Sequence, residues 1–167
     1  MTVPPRALLE AARLGRLEEA KSLLKQGADI NEKDASGDTA LARAAQGRHT
    51  AVALLLIESG ADLDCRNTRG NTALIWAAMN GNREVVRAML AKGADATIKN
   101  DQGDTALTLA RRMHIMVPEV VTMLEEALEK KKRADAREVE RLRHEAVAEK
   151  QRRLKDLARK NKPKFGP

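Results

Sequence analysis

Aromatic side chains are nearly missing from this 167-residue chain: it has Trp76, Phe165 and no tyrosine. Single-strand nucleic-acid binders stack bases on aromatic rings, so that mode of recognition is excluded. Any core must be built from Leu, Val, Ile, Met and Ala. The lone cysteine, Cys65, cannot close an internal disulfide, which fits a reducing compartment, and it cannot build a cysteine-rich zinc site. The three histidines are scattered at positions 49, 114 and 144. No apolar run is long enough to span a membrane. The first residues, MTVPPRALLEAARLGR, lack the apolar centre of a signal peptide. The expectation is a soluble cytoplasmic or nuclear protein without a cofactor.

Acidic residues are nearly missing from one stretch. Residues 150–164 hold Lys150, Arg152, Arg153, Lys155, Arg159, Lys160, Lys162 and Lys164 against Asp156 alone. That stretch carries the whole formal charge of +7, because the rest of the chain has 23 basic and 23 acidic residues. Catalytic motifs are missing too. There is no G-x-x-x-x-G-K or G-x-G-x-x-G phosphate loop, no G-x-S-x-G elbow and no H-E-x-x-H pair. His49 and Cys65 have no partner group at a chemically useful spacing. They read as a satisfied turn histidine and an inert, half-buried thiol. No enzyme is expected.

What the chain does have is a repeat. SGDTAL at 36, RGNTAL at 69 and QGDTAL at 102 are 33 residues apart, as are GAD at 27, 60 and 93. The alanine pairs Ala11–Ala12, Ala44–Ala45 and Ala77–Ala78 keep the same step. Gly37, Gly70 and Gly103 lie three residues after Asp34, Asn67 and Asn100, which is turn chemistry. Thr39, Thr72 and Thr105 stand where a hydroxyl can cap a helix. Leu41, Leu74 and Leu107 share a helical face with Ala44, Ala77 and Ala110, and the alanines let a neighbouring helix approach closely. A second helix per unit is expected to bury Val52, Leu55 and Leu56, or Val85, Val86, Met89 and Leu90. It should end at Gly60 or Gly93.

A 33-residue turn–helix–helix unit resembles the ankyrin repeat. The resemblance covers about residues 7–128, as units 7–33, 34–66, 67–99 and 100–128. It implies an all-α, ankyrin-repeat solenoid of about four units, preceded by residues 1–6 and followed by a charged tail, 129–167. Several positions depart from the family pattern. Ala40, Ala73 and Ala106 replace proline. Ala42, Ile75 and Thr108 replace a histidine, so a side-chain bond between turns is expected to be missing. Arg48 stands where a glycine is usual, with Gly47 beside it expected to serve instead. His114 takes this position in the last unit, and a two-residue insertion is expected at 115–118.

Beyond Pro118 no Gly or Pro occurs until Pro163, and Glu, Arg, Lys, Ala and Leu dominate. The last outer helix is therefore expected to continue as one long C-terminal α-helix. Acid–base pairs such as Glu129–Arg133 and Glu149–Arg153 would support it in water. A heptad seam at Val139, Leu142 and Ala146 breaks at Glu149 and Arg153, which leaves self-association open as an alternative.

The resemblance implies a protein-binding module whose contacts come from turn tips and inner helices. Carried onto this chain, the tips are Ala35, Ser36, Asp38, Thr68, Arg69, Asn71, Asp101, Gln102 and Asp104. The inner-helix positions are Arg43, Gln46, Trp76, Met79, Asn80 and Leu109. The partner site is expected at Arg43, Gln46, Arg69, Asn71, Trp76, Met79, Asn80 and Asp104, with the single tryptophan at its centre. The alternative is attachment of the basic end to a polyanion, whether nucleic acid, ribosome or anionic membrane.

Overall fold

The computed structural model describes residues 4–112 and 118–160, the side chains of 158–160 excepted. Contacts divide the chain into two units, Met1–Leu128 and Glu129–Pro167. The first is a stack of helix pairs: α1 (Ala7–Arg13) with α2 (Leu17–Lys25), α3 (Ala40–Gln46) with α4 (Thr50–Glu58), and α5 (Ala73–Met79) with α6 (Arg83–Ala91). The fourth pair is α7 (Ala106–Arg112) with the opening turns of α8 (Pro118–Lys160). Among the described residues there is no strand, only an isolated bridge between Lys33 and Thr39.

The inner helices α1, α3, α5 and α7 pack in succession, and α2, α4 and α6 form the outer row. Alanine makes this packing close. Ala11, Ala12, Ala44, Ala45, Ala77 and Ala78 have no accessible surface, and Leu8, Leu41, Leu74 and Ile75 fill the space beside them. Each such leucine contributes roughly 1.5–3 kcal/mol by leaving water. Thr39 and Thr72 each cap an inner helix, their hydroxyls accepting from the N–H of Ala42 and Ile75 at 3.3 Å. Thr105 does the same for Thr108 at 3.2 Å.

In the outer row Val52, Ala53, Leu56 and Ile57 are buried in α4, and Val85, Val86 and Met89 in α6. Leu55 and Leu90 are only half-buried, because each sits roughly a quarter to a third of a turn from the centre of its buried arc. Leu107 is half-buried as well, since no further inner helix among the described residues covers α7. Val120 and Leu124 of α8 are fully buried in the same core, and Glu119 and Glu125 pair with Arg83 and Arg111. The insertion expected at 115–118 and His114 fall almost wholly outside the described residues.

The turn between α3 and α4 corrects one expectation. Gly47 has an ordinary helical φ of −77°, and Arg48 itself takes the left-handed conformation at +60°. The matching positions in the flanking units are Gly15 and Gly81, at +71° and +63°. Gly47 is needed for a different reason: a Cβ there would lie 2.6 Å from the His49 ring. Left-handed backbone strains a residue with a side chain, so Arg48→Gly is expected to stabilise the protein by about 1 kcal/mol. Urea unfolding checks this, and an unchanged or lower midpoint would contradict it.

The second unit is the remainder of α8. From Lys132 to Leu157 every side chain is exposed, including Val139, Leu142, Val147, Leu154 and Leu157. Pairs three and four residues apart line this helix. Arg153 meets Glu149 at 2.5 Å, and Arg141 meets both Glu138 and Glu145. Glu129 pairs with Lys132 at 2.7 Å, one position short of the expected Arg133.

Candidate functional site

Each turn is organised by its first residue. Asp34 Oδ1 accepts from the N–H groups of Ser36 and Asp38 at 2.8 and 3.0 Å. Asn67 Oδ1 accepts from Arg69 and Asn71, both at 2.9 Å. Asn100 Oδ1 accepts from Gln102 and Asp104 at 3.0 and 2.9 Å. Short side chains that bond their own backbone in this way favour tight turns. The amide end of each Asn then reaches the preceding unit. Asn67 Nδ2 donates to Asp38 Oδ1 at 2.8 Å, and Asn100 Nδ2 to Asn71 Oδ1 at 3.0 Å. Side-chain bonds between turns are thus present, supplied by asparagine rather than by the histidine the chain lacks. The first turn has no described turn before it, and Asp34 uses its second oxygen to accept from Arg43 Nε at 2.7 Å. Burial pushes the Asp34 carboxyl up, but the bonds from Arg43, Asp38 and Ser36 outweigh it and hold it below the ordinary value.

Internal bonds engage several expected partner residues, including Asn71 and Asp38, which also line the clefts beside Trp76. Asn71 is buried, with its Oδ1 occupied by Asn100. Asp104 is buried and holds both terminal nitrogens of Arg112 at 2.8 Å. Asp38 is buried between Asn67 and Arg43. Asn80 donates to the carbonyls of Ala45 and Gln46 at 3.0 and 3.1 Å, closing the end of α3. Arg43 is tied to Asp34 at 2.5 Å and donates to Gln46 Oε1 at 2.9 Å. Leu109 is 7% exposed. The cause is common to the turn residues: four positions after the organising Asp or Asn, the side chain turns into the stack. Nothing in the pattern of one unit signals this for Asp38 and Asn71, whose asparagine partners are 29 residues away, whereas Asp104 is held by Arg112 of its own unit.

Gln46 and Arg69 are exposed, and Trp76 and Met79 half-exposed. Trp76, in the middle of α5, borders two open clefts. One, of about 310 Å³, has Arg69, Met79, Asp101, Gln102 and Leu109 in its walls. The other, of about 230 Å³, has Ser36, Arg43, Gln46, Thr68 and Arg69. Only Arg69 and Trp76 belong to both. The indole Nε1 of Trp76 is closed off from solvent and has no acceptor among the described residues.

The stacked turn–helix–helix units agree with comparison to known families: a family model described as ankyrin repeats (three copies) matches over residues 4–67 and 51–135. The chain belongs to the ankyrin repeat family. No curated protein matched it. Ankyrin repeats generally mediate protein–protein interaction. In this ankyrin array the turn histidine is structural: His49 Nε2 meets the Arg13 carbonyl at 2.9 Å, with its ring between Gly15 and Gly47. The Cys65 thiol is half-buried and bonds Asp62 at 3.3 Å; burial, then the Asp62 carboxylate, push it above its ordinary value and away from the reactive thiolate. Among the described residues no three His, Cys, Asp or Glu side chains are grouped to hold a metal, and no helix is long and apolar enough to cross a membrane.

Of the basic residues beyond the array, Lys150, Arg152, Arg153 and Lys155 are exposed on α8. Arg153 pairs with Glu149, while Lys150, Arg152 and Lys155 make no ion pair among the described residues. Arg159 and Lys160 are described as backbone alone, and Lys162 and Lys164 lie outside the described residues.

Proposed function

We propose that the ankyrin array is a non-catalytic protein-binding module that seats its partner against Arg69, Trp76, Met79 and Gln46, in the cytoplasm or nucleus and without a cofactor. The observation that carries this reading is the position of Trp76: the only tryptophan of the chain borders both clefts and is left half-exposed. Trp and Arg are the side chains most enriched where interface energy concentrates, and here one of each is shared by both clefts. The test is recovery of the partner from the native source with wild-type protein, Trp76→Ala, and the chain cut after Glu149. The partner should be lost with Trp76→Ala and retained by the shortened chain. The reverse pattern would overturn the reading.

A second reading has its own support. Lys150, Arg152 and Lys155 stand exposed without carboxylate partners among the described residues, so the end of α8 offers uncompensated positive charge to a polyanion. Such contact has no sequence preference and weakens steeply with salt. On immobilised heparin the full chain is expected to elute at clearly higher salt than the chain cut after Glu149. Equal elution of the two would contradict a role for the tail.

A further inference from the structure

We infer that the clefts beside Trp76 recognise an acidic side chain set next to an apolar one in an extended segment of the partner protein. This rests on the proposed role of the face and adds the chemistry of its occupant. The polar groups around the clefts are unevenly satisfied. Every carboxylate there already has a cation or amide: Asp38 has Asn67 and Arg43, and Asp101 has Arg66 at 2.9 Å. The cations holding them are occupied in turn. Arg69 is the exception. It is exposed, belongs to both clefts and makes no ion pair among the described residues. Its neighbour Asp101 donates a backbone N–H to the Arg69 carbonyl at 3.1 Å, yet sends its carboxylate to Arg66.

The Arg69 backbone is held at both ends, its N–H on Asn67 Oδ1 and its carbonyl on Asp101, so the guanidinium rises from a fixed turn. The turn itself therefore loses no freedom on binding, and only the side chain has to be ordered. Arg69 is therefore the cation at the clefts with no carboxylate among the described residues, while each carboxylate there is already answered. A guanidinium is best complemented by a carboxylate, which it can meet with two parallel bonds. The larger cleft supplies the other half of the recognition, since Trp76, Met79 and Leu109 form an apolar wall beside Arg69. A lysine or arginine in the segment would be repelled by the same cation.

Trp76 is the only tryptophan and the chain has no tyrosine, so its emission reports on the clefts directly. The probes are capped octapeptides carrying one Leu and one Glu, from adjacent to four apart, in a Ser/Gly background. They are titrated against the full chain beside analogues with Gln or Lys in place of Glu. At least one Glu peptide should shift the emission and bind about tenfold more tightly than its Gln analogue, while the Lys analogue should not bind. The advantage should shrink between about 50 and 300 mM salt and vanish in Arg69→Gln. Equal binding of Glu and Gln peptides, or an advantage that survives Arg69→Gln, would overturn acid recognition and leave the partner-binding reading standing. Emission unchanged by every peptide would also overturn it, and the affinity of the whole partner for Trp76→Ala then judges the broader reading by itself.

Discussion

Asn67→Asp is expected to destabilise the array by about 3 kcal/mol, although it replaces one NH₂ by one oxygen. The acceptor half of the side chain survives: an aspartate can still take the N–H groups of Arg69 and Asn71. What disappears is the donor to Asp38. That carboxylate is 3% exposed and receives the Asn67 amide at 2.8 Å. In the variant two carboxylates meet at that distance, and the loss of a hydrogen bond to a charged group is compounded by repulsion in a poorly solvated place. Arg43, 3.4 Å from Asp38, offsets part of this. The sign with pH follows. A carboxyl in such a pair is raised above its unfolded value, so the variant is destabilised where both are ionised and recovers as pH falls and one takes a proton. Urea unfolding at neutral and mildly acidic pH checks both parts. A loss below about 1 kcal/mol at neutral pH would show that the bond between turns contributes little.

Gly15→Ala is expected to cost a similar amount, about 3 kcal/mol, from two sources. The backbone there has φ +71°, which an alanine tolerates poorly. The new Cβ would also lie 2.4 Å from His49 Nδ1. The ring cannot step aside freely, because its other nitrogen is on the Arg13 carbonyl at 2.9 Å and its far edge faces Gly47. Gly47→Ala isolates the steric half. With an ordinary φ it should gain roughly the helix preference of alanine, yet the clash with His49 turns that gain into a loss. Removing the ring should restore the gain, so Gly47→Ala made in a His49→Ala background is expected to be neutral or stabilising. A loss as large as in the wild-type background would mean that the ring is not what requires glycine.

These two sites show where sequence reasoning reaches its limit. The helix pairs, the caps at Thr39, Thr72 and Thr105 and the buried alanines follow from residues acting within one unit, and a 33-residue period displays such residues three or four times over. The role of Asn67 is different. Its acceptor half serves its own turn, which is legible from a Gly three residues later. Its donor half serves Asp38 in the preceding unit. The one sign of this in the sequence is that Asp opens the first turn and Asn the next two. Arg48 was misjudged for the same reason. Gly47 beside it looks like the flexible residue until the His49 ring, positioned by Arg13 of another unit, is seen to fill the space of its missing side chain. Among the site residues, Trp76, Met79, Arg69 and Gln46 are on the face where the resemblance placed them. Asn71, Asn80 and Asp104 are engaged inside the stack for different reasons: Asn71 is shared with the next turn, Asn80 closes the end of the preceding inner helix, and Asp104 holds Arg112.

The central claim is that the partner sits against Trp76. Its most direct test is the affinity of the purified partner for wild-type protein and for Trp76→Ala, with helix content and unfolding midpoint measured on both. A central tryptophan anchor is worth at least about 2 kcal/mol, so affinity should fall roughly thirtyfold or more while the variant stays folded. Wild-type affinity in a folded Trp76→Ala protein would contradict the account.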